Sequence, residues 1–160
     1  MKIATELSTA IAVIIGLAML IATIFLIPQP ANAATLEPEK PEVKTAINQF
    51  LKSIPGDYYV VGSVEKFKNF VATKDALVVD VREPSEYAEG HIPNAVNIPL
   101  RSLTENLDKI PTDKPAIFYC TSGHRTAIAM TVLRVLGYDN ISSFPPSMKG
   151  WTAAGEPLEK

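Results

Sequence analysis

Cysteine is almost absent from this chain: Cys120 is the only one in 160 residues, beside just two histidines, His91 and His124. A lone cysteine cannot form an intramolecular disulfide, so the fold is not disulfide-stapled. With so few thiols and imidazoles no metal-ligand spacing exists, and no metal is expected. An excess of positive charge is missing too. The 15 Lys and Arg face 17 Asp and Glu, for a net charge of −2. That balance leaves no basic patch and excludes nucleic acid as a partner. Internal repeats and low-complexity segments are also lacking.

What is present begins with a long apolar run. Residues 10–27 (AIAVIIGLAMLIATIFLI) carry no charge, Pro28 and Pro30 break the helix, and Ala31-Asn32-Ala33 offers an A-x-A cleavage site before Ala34. This is signal-peptide anatomy, although Lys2 is partly offset by Glu6 and the apolar run is long enough to approach a bilayer span. A cleaved signal over 1–33 is the reading adopted, with an uncleaved transmembrane anchor as its rival. A core helix is excluded because the segment has no polar face. Either way the globular part is expected outside the cytoplasm, in a periplasm or equivalent lumen. Under the anchor reading, membrane association runs through residues 10–27. An exposed thiol in such an oxidising compartment is a liability unless it is used.

Residues 34–57 read as a Pro- and charge-rich linker and a leading helix, with Val43, Ala46, Ile47, Phe50 and Leu51 at helical spacing and Pro55-Gly56 as the stop. The rest alternates. Strands are expected at 58–62, 76–82, 95–99, 116–120 and 141–144. Helices are expected after Ser63 (an N-cap), from Pro84 (at N1), after Ser102 (in a capping box with Glu105), from the Cys120 loop to Gly137, and over 148–154. Alternation of this kind predicts an α/β fold with right-handed crossovers and a parallel sheet covered on both faces. Ligands bind such sheets at the strand C-termini, where Asp80, Arg82 and Cys120 fall.

The chain is organised around residues 116–137 (AIFYCTSGHRTAIAMTVLRVLG). Cys120 ends an apolar strand, and a six-residue loop, Cys120-Thr121-Ser122-Gly123-His124-Arg125, feeds a helix whose apolar residues Ile128, Val132, Val135 and Leu136 suggest its packed face. Unpaired amides and the positive helix end favour a thiolate. Gly123 lets the amides curl inward as a nest, and Arg125 adds a fork suited to an oxyanion. A buried, inert cysteine is the plain alternative. Glycine and arginine in the same short loop weigh against it.

This loop resembles the C-x-x-G-x-R active loop of the rhodanese (sulfurtransferase) family. Residues 77–100 (LVVDVREPSEYAEGHIPNAVNIPL) are similar to its D-x-R, E-[YF] and G-H-I-P-G-A stretches, and Gly150, Trp151, Ala154-Gly155 and Pro157 to its closing G-W-x-x-A-G-x-P. The likeness spans residues 58–160, a single three-layer domain. Asn94 stands where the family has glycine, a tolerable exchange because Asn is the next-best residue at positive φ. SFPPSMKG (143–150) replaces the usual glycine pair near the pocket mouth.

The resemblance implies a mechanism. Thiolate Cys120 attacks the outer sulfur of a donor such as thiosulfate, forming a persulfide that passes to a thiol, cyanide or sulfide acceptor, with no cofactor. Amides of Thr121, Ser122, Gly123, His124 and Arg125 stabilise the persulfide, and Arg125 holds the donor's oxyanion. Asp80 and Arg82, beside Glu86, are expected to brace the loop. His91 reads as a hydrogen-bonded structural histidine rather than half of a Cys–His dyad, and His124 as solvent-facing. One alternative is a non-catalytic module that carries a persulfide or binds a partner at a membrane. The other is a phosphatase or arsenate reductase, disfavoured because those relatives have a Cys-x5-Arg loop and this chain has Cys-x4-Arg.

Overall fold

Two apolar runs become adjacent central strands. The computed structural model describes residues 40–160, so the 10–27 run, the cleavage site and most of the linker lie outside the described residues. Among the described residues no helix is long and apolar enough to cross a membrane. Strand β1 (Leu77–Asp80) pairs in parallel with β3 (Ala116–Tyr119), β2 (Val96–Asn97) lies outside β1, and β4 (Ile141–Ser143) lies outside β3. The order β2-β1-β3-β4 is wholly parallel, and the chain reverses its direction of travel between β1 and β3. A crevice opens beyond the strand C-termini at such a reversal.

Strand side chains alternate between two buried layers, as the period of two requires. Val79, Val81, Ala116, Phe118 and Cys120 enter one layer with Ala129, Met130 and Leu133 of helix α4 (His124–Val135). Val78, Ile117 and Tyr119 enter the other. There they meet Phe67 of α2 (Val64–Lys74) and Trp151 of α5 (Ser147–Ala153). The Phe67 ring lies tilted at 4.5 Å from that of Phe144 and edge-on at 5.6 Å to Trp151, tying α2, the end of β4 and α5 together. The expected α/β architecture, a parallel four-stranded sheet flanked by helices on both faces, is what the chain adopts.

Helix ends follow local chemistry. The Ser63 hydroxyl accepts the Lys66 N–H at 3.2 Å to start α2, and Pro84 opens α3 (Pro84–Glu89). Gly137, at φ 95°, follows the end of α4 as a C-cap glycine should. Asn94 sits at φ 63°, as its place in a glycine position requires. The leading helix α1 spans Pro41–Ser53.

Three expectations fail locally. Residues 58–62 contribute only a single parallel bridge, Val60 to Ser143, because Tyr58 and Tyr59 take left-handed φ of 53° and 59° in a turn fixed by Asp57. After Ser102 no α-helix forms. Two 3₁₀ turns, Leu100–Glu105 and Leu107–Lys109, stand there instead, and the Ser102 hydroxyl donates to the Pro99 carbonyl rather than capping. In α4 the packed face is Thr126, Ala129, Met130 and Leu133, while Ile128 and Leu136 are about half exposed. That helix has apolar residues around most of its circumference, so large-residue spacing could not choose the face; its anchorage at Arg125 does.

Candidate active site

Cys120 leaves β3 into the α4 layer and is 1% exposed, which corrects the expectation of an exposed thiol. Strand parity is the reason, since the residue after Tyr119 must point to the opposite face. The loop then turns at Gly123, whose φ of 90° places it at the α4 N-cap and whose N–H lies 3.1 Å from the Cys120 Sγ. A Cβ at Gly123 would meet the Pro145 carbonyl oxygen at 3.0 Å, so the site excludes any side chain both sterically and conformationally. Thr121 and Ser122 are half-buried, and His124 is exposed with its Nδ1 3.1 Å from the Ser122 Oγ.

Arg125 points back across the loop. Its Nη1 donates to Glu86 Oε2 at 2.6 Å, and its Nη2 donates to Glu86 Oε1 and to the Thr121 hydroxyl, each at 2.8 Å. The Thr121 hydroxyl donates in turn to Glu86 Oε1 at 3.0 Å, and the Glu83 N–H reaches Glu86 Oε2 at 3.2 Å. With Arg125 as the largest cause, the Glu86 carboxyl is held at about 2, although burial opposes this. Arg125 is pushed above its ordinary range, first by Glu86 and further by Cys120 beside it. Glu86 is therefore the member of the 80–91 stretch that meets the loop.

Asp80 and Arg82 do not meet it. Arg82 grips the Asp80 carboxylate through Nε and Nη2, at 2.9 and 2.6 Å, and Nη2 also donates to the Gly90 carbonyl at 2.8 Å. Asp80 lies opposite Tyr119 in register, on the layer away from Cys120. The pair braces the 90–94 turn, where the loop was expected to be its target. His91 is buried, donates from its Nδ1 to the Tyr87 carbonyl (3.0 Å) and stacks on the Tyr87 ring at 3.7 Å. It has no contact with Cys120 and serves as a structural histidine.

The loop's brace comes instead from the 143–150 segment. Met148 and Lys149 donate their N–H groups to the carbonyls of Cys120 and Thr121, both at 3.1 Å. The fully buried Ser147 hydroxyl accepts the Cys120 N–H at 3.2 Å, donates to the Phe144 carbonyl at 2.8 Å, and stands 4.0 Å from Sγ. Burial raises the Cys120 pKa, but the hydroxyl and N–H of Thr126 and the N–H groups of Ser122 and Gly123 outweigh it, so the thiol is depressed below its ordinary value. The Thr126 hydroxyl is buried without a hydrogen-bond partner. It is among the groups that lower the Cys120 pKa, and a charged sulfur is what it would satisfy. Thr126 and Ser147 both escape a reading of the sequence. The one signal for Thr126 was its place in the first turn after Arg125.

Donors that converge on one depressed thiol suit nucleophilic attack followed by storage of charge on sulfur, the chemistry of a cysteine-based transferase. Among the described residues no three His, Cys, Asp or Glu gather as metal ligands. Comparison with known proteins gives the class a family. The sequence model of the rhodanese-like domain matches residues 63–154, and the chain belongs to that family of sulfurtransferases. It is 38% identical over 108 residues to the thiosulfate:glutathione sulfurtransferase of Saccharomyces cerevisiae, covering 58% of this chain and 78% of that one. It is 34% identical over 86 residues to a sulfurtransferase of Allochromatium vinosum, covering 54% and 80%. A rhodanese-related protein from Thermoplasma volcanium superimposes with a TM-score of 0.56 at 32% identity, over 62% of this chain and 96% of that one.

Proposed function

We propose that the chain moves a sulfane sulfur from thiosulfate or a similar donor to a thiophilic acceptor through a Cys120 persulfide. The observation that carries the reading is the sulfur's setting: Gly123 N–H at 3.1 Å, an unpartnered Thr126 hydroxyl beside it, and Arg125 fixed by Glu86 at the loop's end. The Cys120 thiolate attacks the outer sulfur of thiosulfate, the sulfur–sulfur bond of the donor breaks, and sulfite leaves with the electron pair. The product, Cys120–Sγ–S⁻, keeps the charge where the loop's N–H groups and the Thr126 hydroxyl can hold it. Arg125 N–H groups not used by Glu86 and Thr121 face the anionic end of the donor. An acceptor thiolate or cyanide then attacks the outer sulfur and returns Cys120 as a thiolate. With the apolar 10–27 run upstream, this reading places the reaction outside the cytoplasm.

Incubation with thiosulfate followed by mass spectrometry tests the proposal. One added sulfur is expected on Cys120, discharged by cyanide, and none on Cys120→Ser, whose hydroxyl is not ionised at neutral pH. Sulfur transfer by the serine variant at a comparable rate would end the covalent mechanism.

A further inference from the structure

A cavity of about 540 Å³ lies against the outer side of the catalytic loop, with Ser122–His124 as one wall. Phe50 and Leu51 of α1, Ile54 just beyond it, and Ala127 and Thr131 of α4 also line it. The α1 side precedes residue 63 and so lies outside the stretch that matches the family model. Its volume falls within the range of small-molecule sites, about 300–1,000 Å³. Thiosulfate and cyanide are far smaller than this space.

Its chemistry is apolar. Arg134, the cation on the lining, is already engaged: its guanidinium stacks 3.7 Å over the Tyr59 ring and its Nη2 donates to the Ile141 carbonyl at 2.7 Å. His124, at the rim, is held against Ser122. An alkyl or aryl body finds Phe50, Leu51 and Ile54 on this lining, while the Arg134 Nε, which has no hydrogen-bond partner, is buried. We infer that the cavity binds the hydrocarbon part of the acceptor and that the acceptor is a low-molecular-weight thiol with an apolar body. The inference rests on the sulfurtransferase reading and adds the acceptor's class to it. Cys120 does not itself line the cavity, but Gly123, whose N–H lies 3.1 Å from Sγ, does, and the transferable sulfur stands ~2.05 Å beyond Sγ. The acceptor thiolate attacks that outer sulfur, the Sγ–S bond breaks, and its electron pair remains on Sγ; the acceptor leaves as a persulfide, with no external oxidant or reductant.

The test uses the full chain, loaded with thiosulfate and freed of excess donor, then discharged by ethanethiol through hexanethiol, by glutathione and by cyanide. Discharge should quicken about fourfold per added methylene, the equivalent of ~0.8 kcal/mol for each buried CH₂. Hexanethiol should outpace glutathione. Ala127→Trp, at an exposed position facing the cavity, should lower the hexanethiol-to-cyanide ratio at least tenfold, and Thr131→Trp, one turn along, should do the same if the first variant fails to fold. Failure to load from thiosulfate overturns the transferase reading and this inference with it. Loading followed by discharge that ignores chain length, favours glutathione, or keeps its length dependence in both tryptophan variants overturns this inference alone.

Discussion

Arg125 and Glu86 meet through two parallel hydrogen bonds, Nη1 to Oε2 at 2.6 Å and Nη2 to Oε1 at 2.8 Å. The pair joins the first turn of α4 to the first turn of α3 and so fixes the far end of the Cys120 loop. Glu86→Gln keeps the shape and loses the charge that holds the fork. Misplacing a catalytic group by about 1 Å costs on the order of a hundredfold in rate, and sulfur loading by Glu86→Gln should fall by that order.

The same pair sets an acid limit. Because the folded Glu86 pKa lies near 2, below the ordinary 4.5, its contribution is fully present above about pH 4.5 and is lost as the pH falls toward 2. Its side chain is 34% exposed and that of Arg125 28%, so solvent screening trims the contribution to about 1–2 kcal/mol. Urea unfolding should show that gap between native chain and Glu86→Gln at pH 6 and none near pH 2. A gap that persists at pH 2 would remove the ion pair from the explanation.

Thr126→Val tests the orphaned hydroxyl. Losing one hydrogen bond to a charged sulfur should move the Cys120 titration up by about one pH unit, read from the pH profile of iodoacetamide alkylation. Stability should hold or rise slightly, since an unsatisfied buried polar atom has been removed. An unchanged profile would show that Thr126 does not reach the thiolate.

Loop length separates sulfur from phosphate. Six residues from Cys120 to Arg125 close a tight ring of N–H groups, so aryl phosphates should not be hydrolysed measurably by the native chain. One residue inserted between Ser122 and Gly123 should cut sulfur loading sharply and admit phosphate or arsenate weakly. Arg125→Lys should be less damaging than Arg125→Ala, because charge remains after the fork to Glu86 is lost. Phosphatase activity equal to sulfur transfer in the native chain would reverse this choice.

The amino terminus has its own test. Ala31-Asn32-Ala33 after Pro28-Gln29-Pro30 predicts a mature chain beginning at Ala34, which amino-terminal sequencing of the expressed protein decides. Full-length chain in the membrane fraction would establish the anchor instead.

The central strands and the Cys120 loop were legible because each is carried by a continuous local pattern: an apolar run into charge at 77–82, and an apolar run into C-x-x-G-x-R at 116–125. What escaped depends on parity and on partners distant in sequence. Asp80 and Arg82 sit at the right end of the sheet, yet the face of β1 they occupy turns them toward Gly90, and only Glu86, on the helix beyond, reaches the loop. Ser147 supports Cys120 from 27 positions away through a left-handed φ of 53°, a conformation that nothing in Pro-Pro-Ser-Met announces. The missing strand at 58–62 is the reverse case. There the apolar residues invite a strand, and the two left-handed tyrosines fixed by Asp57 allow one bridge only.

The burial of Cys120 also bears on how one molecule meets another. A disulfide needs two sulfurs at ~2.05 Å with their Cα atoms within about 7 Å, an approach that the Cys120 loop and α4 deny to a second copy of the chain while the thiol is 1% exposed. Oxidative cross-linking, the ordinary fate of an unpaired thiol in air, is thus blocked by the same packing that keeps the sulfur among its donors. Aged without reductant, the folded protein should run as a single chain on a non-reducing gel, and only unfolding should release the covalent dimer.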